Sequence, residues 1–519
     1  MAEIRQLHSY KYSTYSSLNR LLGSIFPDSV TGKSRLQRKY FDTFDWRLFR
    51  ACYQFEEDLD SNENLIRLRP ISGNIPSYEC DSLTEPKFYW DLSSGRLKQK
   101  LKTLINERAL LLLGKLYIAR TSYEIMDDNE KIVLRIIIEG LFKVKQYYSN
   151  KEIFSYLELH PLRGYNLELE KVARLLCDEF DFVPCNNETA VNLYKSLGKT
   201  PVDYSSKLEI MLEPDMTGQC ALSKAMMYNL DIMEKNEKGI IEDIDIEFLH
   251  DFRIAGRRSR SVISQVNGIF PTSQIKRYKN SFAWLSKLTS THRDLDVFLW
   301  DFNYYVKQVS HNGGEELEPL RKFLQHKRTA EHNRLTRALN TARFNRFKSS
   351  WRSFLRNQQL KTINRSGETA VIDIANHNIW RNYKKMLNQG NSITTSYTYD
   401  AIHRLRKNGK KLRYLIDTFS TLYSDDEIKY VIKCLKRLQN NLGDITDMHV
   451  QREMLHNWKM ILADDKDIPR KTISAIDDLE SLCNLNEKTA QEKVNRRFRE
   501  FSSKKNRRLF KDIFYTTNA

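Results

Sequence analysis

Apolar and polar positions follow two different rhythms along this chain. Up to about residue 200, short β-branched or aromatic runs alternate with turn residues. Examples are Leu65–Leu68, Leu116–Ile125, Lys131–Glu139 and Ile153–Leu159, with Ser-Gly-Asn at 72–74 and Asp-Asp-Asn at 127–129 between them. Runs of that kind predict antiparallel strands, and helical spacing over Ser17–Ile25 and Asn166–Cys177 adds two helices. From about residue 217 the three- and four-residue spacing takes over, and 246–267, 274–288, 315–357, 398–422, 425–440 and 467–505 all fit amphipathic helices. Eight of the eleven prolines precede residue 215, and Thr200-Pro-Val-Asp with Glu213-Pro-Asp marks a linker. The expected class is α+β, with an antiparallel β domain over 1–200, a linker over 201–216 and an all-α domain over 217–510.

Composition narrows the field. With 519 residues, 40% apolar positions and 58 aromatics, the chain can bury two or three cores. Its apolar stretches are far short of the roughly 20 residues a membrane helix needs, and no apolar run behind a basic start predicts a secretory signal. The seven cysteines are scattered without a CxxC pair, which argues against a disulfide framework or zinc knuckle and makes a reducing cytoplasm the expected location. Charge is unevenly spread. Residues 1–200 carry 29 Lys and Arg against 27 Asp and Glu, residues 201–249 carry 4 against 11, and residues 250–519 carry 51 against 28. The C-terminal half is thus polycationic, and a polyanion is its expected partner.

That half contains a repeat. His250-Asp-Phe-Arg253-Ile-Ala-Gly256-Arg257-Arg258-Ser-Arg260 returns 153 residues later as His403-Arg-Leu-Arg406-Lys-Asn-Gly409-Lys410-Lys411-Leu-Arg413, and the same offset carries Asp294 to Asp447 and Val297 to Val450. A duplicated helical bundle explains it. Positions i, i+3, i+7 and i+10 share a helix face, so His250, Arg253, Arg257 and Arg260 form one cationic stripe and His403, Arg406, Lys410 and Arg413 form its twin. Residues 252–293 hold nine Lys and Arg without an acid, 401–416 hold six and 332–367 hold nine. A solvated face normally alternates its signs, so an external anion is expected to supply the missing charge. Gly256 and Gly409 are open to two readings, close helix packing or close approach of an anion. Asp294 and Asp447 are likewise either helix N-caps or carboxylates that orient a neighbouring His or Arg. Phe282, Trp284 and Tyr414 fall at core spacing.

His250–Arg260, Arg293-Asp-Leu-Asp-Val297, His403–Tyr414 and Leu438-Gln-Asn-Asn-Leu-Gly-Asp444 together resemble the CHAD domain, over about residues 217–510. The resemblance implies two helical bundles lining a basic surface that binds inorganic polyphosphate. It places the binding positions at His250, Arg253, Arg257, Arg258, Arg260, His403, Arg406, Lys410, Lys411 and Arg413. Association with polyphosphate granules is a further expectation of that resemblance.

Segments of the first 200 residues resemble the CYTH, or triphosphate tunnel, family. They are Tyr40-Phe-Asp-Thr43 with Trp46 and Leu48, Leu65-Ile-Arg67-Leu-Arg69, Glu85-Pro-Lys87 and Tyr156-Leu-Glu158-Leu159. The resemblance implies a closed antiparallel barrel whose inward cations, here Arg67, Arg69, Lys87 and Arg120, could hold phosphate. The family's ExExK metal strand is degenerate, because Glu3-Ile-Arg5-Gln-Leu7 keeps one acid and the later Glu-x-Glu is reduced to Glu158. Glu3 and Glu158 are weak metal candidates, so no cofactor is expected, and Mg²⁺ or Mn²⁺ only if the tunnel is active.

Three functions follow. The first is non-catalytic polyphosphate binding by the helical domain. The alternative is a metal-dependent triphosphatase or polyphosphatase in the tunnel, against which the incomplete metal strand argues. The third is nucleic-acid binding, weakened by the lack of a helix-turn-helix, an RNP-like strand or a stacking ladder. No membrane contact is expected.

Overall fold

The computed structural model describes residues 5–27, 29–59, 64–71, 77–81, 84–144, 150–309, 314–360, 369–393 and 398–515. The chain divides into two compact units, Met1–Ser205 and Ser206–Ala519. Ser-Gly-Asn at 72–74 and Glu3 lie outside the described residues.

The first unit is a nine-stranded antiparallel sheet. Its strands are β1 (Arg5–Ser9), β2 (Val30–Asp42), β3 (Tyr53–Leu59), β4 (Asn64–Pro70), β5 (Tyr78–Asp81), β6 (Leu111–Met126), β7 (Ile132–Val144), β8 (Asn150–Pro161) and β9 (Phe182–Pro184), in the order β5-β4-β3-β2-β6-β7-β8-β1-β9. Helices α1 (Tyr15–Ile25), α2 (Arg47–Arg50), α3 (Arg96–Ile105), α4 (Asn166–Phe180) and α5 (Asn187–Ser196) complete it. One sheet face is apolar. Phe41, Phe55, Ile66 and Leu68 pack with Leu48, Leu97 and Leu101 of α2 and α3, while Ile136, Ile138, Leu157 and Leu159 pack with Leu18, Leu22, Leu169 and Leu176 of α1 and α4. Strand alternation turns the other residues of these strands to the opposite face. The expected closed barrel is corrected to a curled, open sheet whose outermost strands are β5 and β9. Both are short, four and three residues, and Pro184 cannot donate to a further ladder.

The second unit is helical: α6 (Gly218–Ile241), α7 (Ile246–Gln265), α8 (Thr272–Leu288), α9 (Ser290–Trp300), α10 (Phe302–Val309), α11 (Glu318–Leu339), α12 (Ala342–Leu360), α13 (Val371–Ile393), α14 (Tyr399–Phe419), α15 (Asp425–Ala463), α16 (Arg470–Phe501) and α17 (Lys504–Phe514). The 153-residue offset carries the first residues of α6, α7 and α8 onto those of α13, α14 and α15. The repeat is therefore a duplication of whole helices, and it is not confined to two motifs. Its pseudo-twofold axis can be located. Thr217 and Ala370, which are 153 apart, form an antiparallel bridge. Gly218 N–H donates to Thr369 O at 3.0 Å and Val371 N–H to Met216 O at 2.8 Å, a pair of bonds exchanged by that same offset. Phe302 with Leu455 and Tyr305 with Trp458, also related by the offset, meet in one buried cluster.

Helix boundaries differ from expectation in two places. The segment 315–357 breaks at Asn340–Thr341, while 425–440 continues to Ala463. In the first repeat the matching stretch is three helices. There the Thr289 hydroxyl donates back to Leu285 O at 2.9 Å and accepts from Arg253 Nη1 at 2.6 Å, at the end of α8. Leu442 holds that position in the second repeat, and the helix runs through. No helix among the described residues is long and apolar enough to cross a membrane.

Candidate functional site

The concave face of the sheet carries charge on alternate residues. Arg38 of β2, Arg67 and Arg69 of β4, and Arg120 of β6 meet Glu56 and Asp58 of β3, Glu139 of β7 and Glu158 of β8. Arg38 is wholly buried, its guanidinium spanning Asp58 (Nε–Oδ1 2.5 Å) and Glu139 (Nη1–Oε2 2.6 Å). Arg67 pairs with Asp58, and Arg69 with Glu158 and Glu56. Arg120 Nη2 lies 2.6 Å from Glu139 and 3.1 Å from Asp58. Tyr156 donates its hydroxyl to Glu139 at 2.5 Å. Burial pushes His160 down to about 4, with Arg69 and Arg67 adding to the shift, so it is neutral at physiological pH. Four guanidiniums thus face four carboxylates, and this network has no cation left over for a phosphate. The sequence singled out three of these arginines but missed Arg38, Glu56, Asp58 and Glu139. The signal was the alternation of Glu56 and Asp58, which puts them on the Arg67–Arg69 face of the paired strand.

Lys87 is elsewhere. It is exposed, in a loop ahead of the Tyr89–Asp91 turn, and no strand forms over 85–87. Glu158 is poorly suited to a divalent cation: Arg69 and Gln6 Nε2 (2.8 Å) occupy Oε1, and His160 Nε2 stands 2.8 Å from Oε2. The residues present do not fit the metal that a catalytic tunnel would require.

In the helical unit, symmetry brings the two stripes together. Helices α7 and α14 are mates under the 153-residue offset and pack against each other. Arg257 and Arg260 are exposed, His250, His403, Arg406, Lys410, Lys411 and Arg413 are half-buried, and Arg253 and Arg258 are buried. Burial holds Lys410 down at about 8, and the positive charges of Arg406, Arg257 and Arg253 push the same way. Residues of both motifs therefore converge on one spot. Burial also lowers Arg253 to about 10, with Arg257 contributing. Lys411 is lowered by burial and by Lys385, Lys407 and Arg260, which extends the cationic surface.

Other stripe residues have internal partners. Arg253 is anchored on Thr289, Arg258 donates to Asn229 Oδ1 at 3.0 Å, and Arg413 Nε to Asp417 at 2.8 Å. Asp294 and Asp447 lie inside α9 and α15, so neither is an N-cap. Asp447 accepts from Arg406 Nη2 with both oxygens, at 2.8 and 3.0 Å, and fixes that guanidinium. Asp294 is held close to Arg253, Arg257 and Asp447, although burial lifts it above the ordinary carboxylate range. The two glycines differ in how closely they are packed, Gly256 having room for a methyl and Gly409 little. A methyl on Gly256 would stand 3.8 Å from Met233 Sδ, and one on Gly409 3.3 Å from Met386 Cε, the methionine related by the offset. Part of the acid-free stretch beyond 332 is paired within the domain. Lys348 pairs with Glu237 at 2.5 Å, and Arg352 with Asp231 at 2.8 Å and Glu234 at 2.5 Å, all three acids being on α6.

Two copies of a helical unit, with α7 packed on α14 across a pseudo-dyad, define a duplicated helical domain. Residues 224–456 match the CHAD domain family model, and this part of the chain is a CHAD domain. No curated protein matches the chain. Among solved structures, the CHAD domain from the plant Ricinus communis is 18% identical, with a TM-score of 0.48, and covers 57% of this chain and 96% of its own. PptA from Streptomyces chartreusis is 13% identical, with a TM-score of 0.43, covering 55% and 99%. HpAC1 from Hippeastrum, described as revealing a dominant triphosphatase activity, is 13% identical, with a TM-score of 0.28, covering 40% and 100%.

Proposed function

We propose that the helical domain binds inorganic polyphosphate along the surface where α7 and α14 meet, without catalysis. The observation that carries this is the crowding of Lys410 by Arg406, Arg257 and Arg253, cations of both repeats gathered without enough acids to balance them. Such a cluster is repulsive alone and is relieved by a chain of closely spaced negative charges. Polyphosphate supplies these and needs no base-reading groups, and the CHAD resemblance points to the same anion. Each charge-assisted contact would contribute about 1.5–3 kcal/mol, and counterion release would make affinity fall steeply with salt. A hydrolytic role for the sheet unit is disfavoured by its self-neutralised concave face. Granule association would follow from the binding.

The proton balance tests this reading. A polyanion favours charged Lys410, so the complex holds that proton more tightly than the free protein, in which Lys410 sits at about 8. Affinity is therefore full below pH 8 and declines as pH rises through it, with net proton uptake on binding near pH 8. Calorimetry of the full chain in two buffers of different ionisation heat measures the uptake. Uptake that vanishes in Lys410→Met supports the site, whereas an unchanged uptake in that variant contradicts it.

A further inference from the structure

Away from the stripes, Asp243, His292 and His332 bring one carboxylate oxygen and one nitrogen of each ring within 4.8 Å of one another. They come from the α6–α7 turn, α9 and α11. His292 is 3% exposed, and its Nδ1 has no hydrogen-bond partner; the buried Nδ1 of His332 has none either. Asp296, 2% exposed, stands beside them, its Oδ2 also without a hydrogen bond and 3.7 Å from the His292 ring. Arg328 holds the carboxylates from behind, with Nη1 and Nη2 each 2.7 Å from Asp243 and Nε 2.6 Å from Asp296 Oδ1.

The duplication shows that the fold does not require a histidine at 292. At the 153-residue offset, His292 becomes Ile445, which is fully buried. The first repeat has placed a buried imidazole with an unsatisfied nitrogen where its twin has a plain aliphatic core residue. An unpaired buried polar atom is costly, and a ligand that uses its lone pair removes the cost. We propose that His292, His332 and Asp243 form a binding site for a divalent transition-metal ion of the Zn²⁺ type, whose role is to clamp α9, α11 and the α6–α7 turn.

Two imidazoles and a carboxylate suit such an ion, with water as its fourth ligand. Arg328 does not block it. Each carboxylate oxygen has lone pairs for both an N–H donor and a metal, and a guanidinium behind a ligating carboxylate is an outer-shell orienting group.

The test is titration of the full chain with Zn²⁺ alone, and with Co²⁺ read by visible absorption. The expected result is a single ion in tetrahedral absorption, a melting temperature that rises with Zn²⁺, and affinity about 100-fold or more weaker in His292→Ile with His332→Leu. Ile at 292 copies the buried Ile445 of the second repeat and keeps the core filled. His456→Ala, a control at an exposed histidine, is expected to leave binding unchanged. A double variant that binds Zn²⁺ as the parent does would overturn the proposal, as would a parent chain that neither retains the ion nor gains thermal stability from it.

Discussion

Replacing Arg257, Arg260 and Lys410 together by Glu is expected to lower polyphosphate affinity at least about 100-fold, since three charge-assisted contacts of about 1.5–3 kcal/mol become repulsions. The fold should survive, because Arg257 and Arg260 are exposed and Lys410 is half-buried, and surface substitutions usually change stability by only about 0.5 kcal/mol. Lys410 adds to the case. Its depressed pKa means that between about 8 and the ordinary 10.5 the unfolded chain holds a proton the native chain has lost, so native stability rises with pH there. At neutral pH the charged lysine costs stability, and removing it should not harm the fold. Buried Arg253 is left alone, since Glu beside Thr289 would bury a carboxylate, and so is Arg406, whose loss would strand Asp447. Affinity unchanged in the triple variant, with melting also unchanged, would place the anion elsewhere, for instance along 321–356.

Glu139→Ala should produce the largest stability loss. Glu139 is 1% exposed and accepts from Arg38, Arg120 and Tyr156, so its removal leaves Arg38 and Arg120 short of a counter-charge inside the curled sheet. Breaking a buried pair from one side costs about 3–5 kcal/mol, or about 10 °C in the melting of a unit this size. Polyphosphate binding by the full chain should be unchanged at temperatures where both units are folded. The same network fixes the acid response. Burial would raise Asp58, but Arg38 and Arg67 outweigh it and hold the carboxyl at about 2. Its stabilisation is present above its ordinary 3.8 and is lost as pH falls toward about 2. Unfolding of this unit followed by circular dichroism checks both statements. A Glu139→Ala chain that melts like the parent would show that the network is not holding the sheet together.

The duplication was legible in the sequence because it left the same residue types at a constant offset, and the helices it predicted are present. The concave charge of the sheet was half legible. Alternation alone turned Arg67, Arg69 and Arg120 inward, but their neutralisation depends on which strands face each other across the curl, which strand periodicity does not report. The same limit applied to the stretch beyond 332. Its missing acids lie on α6, more than a hundred residues away, and only packing brings Asp231, Glu234 and Glu237 to Lys348 and Arg352. Asp294 and Asp447 were readable as caps until helix continuity placed them mid-helix. The His292–His332 pair left no motif at all, since its members are 40 residues apart on separate helices.

A twofold cationic surface in the helical unit is proposed to take a linear phosphate chain. The most direct test is calorimetric titration of the full chain with polyphosphate at low and at physiological salt, repeated with the protein pre-mixed with duplex DNA. Binding is expected to weaken steeply as salt rises, and polyphosphate is expected to displace the DNA. Absence of binding at low salt, or DNA that polyphosphate cannot displace, would contradict it.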